Sequence, residues 1–264
     1  MYKLKLAYFL SHNGLGDNIL SISALNYLSK YYEKIYFLCK DKYIHHIRYV
    51  FKTNNNIVPI SFNSNNEFQE CYNILKDKYD IADIFICGDH KRYLRSKITH
   101  PLLINYKIDD KNIHVYIIII KQFYHDINLD VSIFVDYFYI NTDEEIKELY
   151  KCISIYKIIF MHTEGSNKTV DLDYLVWAKL YKDEYLIICA NKNMYNLDDK
   201  KYDLAQKYIK LPTIIHYYDI ILNADEIYVI DSCMSSIVIG LELSNKLKAS
   251  KIGVYSRDTC KLIN

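Results

Sequence analysis

The hydrophobic positions of this chain fall in short blocks separated by small polar loops. Leu4–Leu10 is a mostly apolar run of strand length, and residues 17–31 then carry Ile19, Leu20, Ile22, Leu25 and Leu28 at helical spacing. A second apolar block covers 35–39. Strand, loop, helix and strand in that order predict a βαβ unit, the building block of a parallel sheet. Helices over 43–51 and 67–78 and strands over 57–60 and 81–87 continue the alternation. The apolar blocks 115–120 and 134–140 read as strands. A helix over 143–154, acidic at its start and basic at its end, closes the first half.

The pattern then restarts. Strands are expected at Lys157–His162, Tyr185–Cys189, Glu226–Ile230 and Lys251–Tyr255, with helices over 172–180, 198–210, 216–223 and 237–244. Two successive βαβ runs, each opening with a small, polar loop, predict an α/β protein of two Rossmann-like lobes. The boundary falls near 145–155, giving lobes of 1–150 and 151–264, with no low-complexity linker between them.

Composition narrows the function classes. With 264 residues and 51% hydrophobic content, the chain can bury the core of one large domain or two small ones. A net charge of +1 gives no electrostatic reason to expect nucleic acid or an anionic membrane as the main partner. No apolar run approaches the roughly 20 residues of a membrane helix. The basic, apolar N-terminus runs into a polar loop rather than a small-residue cleavage site, so a cytoplasmic location is expected. Seven cysteines without a CxxC pair fit free thiols in a reducing compartment better than disulfides or a zinc site. Lys, Asn, Ile and Tyr are heavily used, the imprint of an A+T-rich genome. There are six glycines, where average usage would give about 18. Those that remain mark places where a side chain does not fit.

Three loops carry candidate chemistry. Residues 12–17 hold Gly14, Gly16 and Asp17 between the first strand and the first helix, where backbone N–H groups face a ligand at the positive end of a helix. The dinucleotide fingerprint would need a glycine at position 19, which is Ile19, and this argues against NAD or FAD. The plain alternative for Asp17 is a helix-terminal charge. Residues 162–168 form a loop rich in hydroxyl groups, with Thr163, Glu164, Gly165, Ser166 and Lys168, suited to a phosphate but lacking a Walker ending. An ordinary polar loop is the alternative. Residues 231–236 follow an apolar strand with Asp231, Ser232, Cys233, Met234, Ser235 and Ser236, either an anion site at a helix start or simple N-capping. Asp171 and Asp173 match a DxD pattern, but they stand where a helix begins and are read as caps. His45, His46, His90, His100, His114 and His125 show no metal-ligand spacing. Lys91, Arg92, Arg95 and Lys97 read as a solvated helix face.

Together these loops resemble the heptosyltransferase-like glycosyltransferases of family nine. Gly14, Gly16 and Asp17 followed by Ala24 and Leu25 resemble that family's first-lobe signature. Thr163 to Lys168 resembles its second-lobe phosphate loop. Asp231 to Ser236, followed by the strand Lys251–Tyr255, resembles its last site segment. The resemblance implies a GT-B fold, two Rossmann-like lobes whose parallel sheets face a central cleft, with the acceptor side in the first and the donor side in the second. It implies an inverting transfer from a nucleotide-sugar donor to a hydroxyl of a glycan, lipid or protein, without a cofactor or bound metal. Asp17 is then the general base. Lys168, Thr163 and Ser166 stabilise the departing diphosphate, helped by N–H groups over 232–236, while Gly14, Gly16, Asp231, Ser232, Ser235 and Ser236 complete the site. Glu164 and Asn191 are further candidate donor contacts. Two alternatives use the same architecture: a nucleotide-sugar-binding scaffold without catalysis, suggested by Cys233 and Ser236, and a nucleotide-sugar epimerase.

Overall fold

Apolar runs bounded by polar loops become the buried strands of two parallel sheets. The computed structural model describes residues 4–11, 14–88, 115–165 and 168–263. It divides into two compact units, residues 1–141 and 142–264. In the first unit β1 (Leu4–Leu10), β2 (Tyr32–Lys40), β3 (Ile57–Phe62) and β4 (Asp83–Ile86) form a parallel sheet in the order β3-β2-β1-β4. The second unit holds β5 (Lys157–His162), β6 (Tyr185–Cys189), β7 (Glu226–Ile230) and β8 (Lys251–Tyr255), parallel in the order β6-β5-β7-β8.

Successive residues of a strand face opposite sides of a sheet, so β1 covers two cores at once. On one face Tyr8 and Leu10 pack with Leu38, Phe62 and Ile86 and with Cys71 and Leu75 of α4 (Glu67–Leu75). Phe9 meets Phe37 edge-on with ring centres 5.8 Å apart, and Phe37 meets Phe51. Every residue of β7 is buried, as expected of a central parallel strand covered on both faces.

The first helical pattern splits into α1 (Leu15–Leu20) and α2 (Ile22–Leu28). The break is at Ser21, whose hydroxyl donates back to the Asp17 carbonyl at 3.0 Å, a bond that competes with the regular helical ladder. The expected helix over 43–51 is α3 (Ile44–Val50), preceded by a short 3-10 turn.

Two expectations fail. The blocks at 115–120 and 134–140 are not strands: the chain forms α5 (Val115–Asp126) and α6 (Ser132–Tyr137). From residue 120 onwards the buried positions Ile120, Phe123, Tyr124 and Ile127 recur at helical spacing, and this longer period decides the outcome. α6 is held by α2. The Ser23 hydroxyl donates to the Phe134 carbonyl at 2.9 Å, and the Asn26 amide donates to the carbonyls of Tyr137 and Tyr139.

The boundary also moves, from residue 150 to 141. The helix α7 (Glu144–Lys151), capped by Asp143, belongs to the second unit. Its Ile146 is fully buried, Thr142 donates to the Asp219 carboxylate, and the Tyr208 hydroxyl donates to the Leu149 carbonyl. Further along, α8 (Trp177–Leu180), α9 (Tyr202–Gln206) and α10 (Tyr218–Asn223) are shorter than their patterns suggest. The last helix, α11 (Cys233–Leu243), starts earlier than expected, because Ser232 caps it. The basic cluster at 91–97 lies outside the described residues.

Candidate functional site

In open α/β sheets ligands gather at the carboxyl ends of the strands where the strand order reverses. In the first sheet that point lies between β1 and β4, and in the second between β5 and β7. The candidate loops follow β1, β5 and β7, so each sheet carries its polar loops at its own reversal point.

In the first unit Gly14 caps α1, and its N–H donates to Asp17 Oδ2 at 2.8 Å. A Cβ at Gly14 would stand 3.0 Å from that same oxygen, so glycine lets the carboxylate fold back over the turn. Gly16 occupies the first turn of α1 beside Asp17. At the other wall of the reversal point, Gly88 takes a left-handed φ of 68° and donates its N–H to Asp126 at 2.8 Å. A cavity of about 410 Å³ in this unit is lined by Tyr27, Tyr31, Tyr32, Asp83 and Phe85. It lies at the amino ends of β2 and β4, away from Asp17, and topology gives it no part in this site.

In the second unit the loops after β5, β6, β7 and β8 come together. Thr163 is fully buried. Its N–H donates to Asn191 Oδ1 at 3.0 Å, and its hydroxyl accepts from the Asn191 amide at 3.0 Å. Thr163 and Asn191 therefore fix the start of the loop after β5. The loop closes on itself, with Glu164 bridged to Thr169 and the Gly165 N–H donating to the Lys168 carbonyl at 2.7 Å. Glu164 and Lys168 are exposed, and Ser166 lies outside the described residues. Lys168 Nζ donates to Asp258 Oδ1 at 2.8 Å, a contact that holds the Asp258 carboxyl below its usual range.

Asp231 extends the ladder past β7, its N–H donating to the Tyr255 carbonyl at 2.8 Å, and its Oδ2 stands 3.7 Å from the Arg257 guanidinium. The Ser232 hydroxyl accepts the Met234 N–H at 3.3 Å and contacts His162 Nδ1 at 3.2 Å, joining the ends of β5 and β7. Burial pushes His162 down to about 4, so the ring is neutral near pH 7. The Ser235 hydroxyl accepts the Ser232 N–H at 3.0 Å and donates to the Ser232 carbonyl at 2.5 Å. Ser235 and Ser236 are buried, so they shape the helix start from within. Burial pushes Cys233 up to about 11, which keeps its thiol protonated near pH 7 and makes it a poor nucleophile.

Asp171 and Asp173 do form a turn. The Asp173 N–H donates to Asp171 Oδ1 at 2.9 Å, and Asp173 is ion-paired to Lys192 at 2.6 Å. Among the described residues no group of three or more His, Cys, Asp or Glu could hold a metal ion. No described helix is long and apolar enough to cross a membrane.

The sequence reading did not single out Arg257 and Asp258. They lie in an aperiodic segment without glycine, and only the pairing of β7 with β8 brings them beside Gly165 and Asp231.

The second unit thus brings a helix start, several hydroxyl groups and the ion pairs Lys168–Asp258 and Arg257–Asp231 to one sheet's reversal point. No family model and no curated protein matches the sequence. Solved structures do. The chain is similar to a glycosyl transferase family 9 protein from Veillonella parvula, at 14% identity and a TM-score of 0.52, over 96% of this chain and 80% of that one. It is similar to E. coli ADP-heptose LPS heptosyltransferase II, at 12% identity and a TM-score of 0.52, over 96% and 93%. It is also similar to E. coli heptosyltransferase WaaC with ADP, at 9% identity and a TM-score of 0.51, over 95% and 86%. The fold is therefore GT-B, two α/β units in series with four parallel strands described in each.

Proposed function

We propose that this chain is a glycosyltransferase that takes a sugar from a nucleotide-sugar donor and passes it to a hydroxyl group. One observation carries the reading: in a fold shared with such transferases, the anion-suited loops sit at the reversal point of the second sheet and the carboxylate Asp17 at that of the first. The second unit binds the donor. Lys168 and the N-terminus of α11 meet the charge that grows on the departing nucleoside diphosphate, and the part-buried Thr163–Asn191 pair keeps the loop of Lys168 in place. Asp17 accepts the proton of the acceptor hydroxyl as that oxygen attacks the anomeric carbon from the face opposite the diphosphate, inverting the centre. The Gly14 N–H donates to this carboxylate and orients it over the turn. Lys168 and the helix start provide the positive charge that a divalent cation supplies in metal-dependent transferases, so turnover is expected to survive EDTA.

Asp17→Asn tests the assignment, because the amide oxygen still accepts the Gly14 N–H and leaves the turn intact. Transfer is expected to fall at least a hundredfold, the lower range for a general base. Nucleotide-dependent thermal stabilisation, read with UDP-, GDP-, ADP- and dTDP-sugars, should persist. Full activity in that variant would remove Asp17 from the mechanism. Binding without turnover in the wild-type chain would support a nucleotide-sugar-binding scaffold instead, and donor conversion without an acceptor an epimerase.

A further inference from the structure

The loop that follows β8 is built to hold a cation beside the donor loops. Its Ser256 hydroxyl accepts the N–H groups of Asp258 and Thr259, both at 3.2 Å. The Cys260 N–H donates to the Ser256 carbonyl at 3.0 Å, and the Ser256 N–H donates to the Lys261 carbonyl at 2.8 Å. Arg257 projects from this loop over Gly165. A Cβ added at Gly165 would stand 2.9 Å from Arg257 Cδ, so glycine at that position makes room for the arginine stem. A chain of alternating charge then links the three loops: Lys168 to Asp258 at 2.8 Å, and Arg257 to Asp231 at 3.7 Å.

We infer that Arg257 is the second cation of the donor's diphosphate site, and that Asp258 and Asp231 hold Lys168 and Arg257 in place until phosphate oxygens displace them. The inference rests on the proposed nucleotide-sugar reading. A diphosphate carries more negative charge than one lysine neutralises. Arginine adds a planar fork that two phosphate oxygens can occupy together. The Lys168–Asp258 pair is exposed, and the Arg257–Asp231 pair is half-buried but long at 3.7 Å; such pairs are weak, so phosphate oxygens can replace the carboxylates.

The experiment is calorimetric titration of the full chain with ADP, UDP, GDP and dTDP, and with the parent nucleosides. For the diphosphate that binds, Arg257→Ala should weaken affinity about tenfold, the scale of one lost charge-assisted hydrogen bond, and flatten its salt dependence. Nucleoside binding should not change, and Arg257→Lys should recover part of the loss. Asp258→Asn should tighten diphosphate binding about twofold, because a competitor for Lys168 is removed, whereas a purely structural role for Asp258 would loosen it. Gly165→Ala should weaken binding in the wild-type background and have no effect on top of Arg257→Ala. If Arg257→Ala binds the diphosphate like wild type while Lys168→Ala does not, the inference is overturned and the donor reading stands. If the wild-type chain binds none of the nucleotides, the donor reading itself falls, and the inference falls with it.

Discussion

His162 closes β5 and touches Ser232 at the start of α11, and its titration should control the stability of the second unit. Burial lowers it from 6.5 to about 4. The unfolded chain therefore binds a proton at a higher pH than the folded chain does, and stability falls as pH drops from about 6.5 towards 4. Those two values give a loss of about 1 kcal/mol at pH 5.5, growing to about 3 kcal/mol once the folded chain is protonated too. The structural cause is burial: an imidazolium here gives up its hydration, and its Nδ1, 3.2 Å from the Ser232 hydroxyl at the start of α11, becomes a donor only. Urea unfolding followed by circular dichroism at pH 7.5, 6.5, 5.5 and 4.5 measures the loss. Hydrogen exchange of the Met234 amide localises it to the helix start. His162→Gln keeps a hydrogen-bonding side chain but cannot titrate, so its stability should depend less on pH by the amounts above. Asp219, which burial raises, titrates with the opposite sign and is common to both proteins, so the difference between them isolates His162. Parallel pH profiles for wild type and His162→Gln would refute the argument.

Other sites give independent tests. Burial alone would raise Glu226, but hydrogen bonds from Lys179 and Tyr228 outweigh it and hold the carboxyl below its usual range. Lys179→Met leaves this carboxylate without its cation and should destabilise the second unit by about 2 kcal/mol in urea titration; an unchanged midpoint would argue against the pair. Phe134→Ala removes a buried ring that meets Tyr124 edge-on at 5.8 Å and should cost the first unit about 3–4 kcal/mol by the same measurement. A loss below about 1 kcal/mol would mean that α6 does not depend on that packing.

The sequence showed the strands more clearly than the helices. β5, β6 and β7 follow from the apolar runs at 158–161, 186–188 and 227–230, because the inner positions of a strand buried on both faces are apolar. Residues 115–120 mislead for the same reason. Six residues of Val, Tyr and Ile look alike in a strand and in a buried helix, and only Phe123, Tyr124 and Ile127 beyond them reveal the helical period. The candidate site was legible where glycine or serine follows a strand, as at Gly14, Gly165 and Ser232. It was not legible where contacts depend on strand order. Asn191 was a candidate, but its pairing with Thr163 was not readable, and nothing near Gly165 points to Arg257.

The chain passes between its two units once, at Asn141–Thr142, and each sheet uses strands from only one side of that crossing. Vectorial synthesis can therefore complete the first sheet while the second is still being made. The second sheet must wait longer. Its β7 pairs with β5 and with β8, so the sheet is complete only once β8 has been made. Under the proposed function, a nascent chain stalled before β8 would carry the acceptor-side half with no complete donor site, and premature release would yield fragments that consume no nucleotide-sugar.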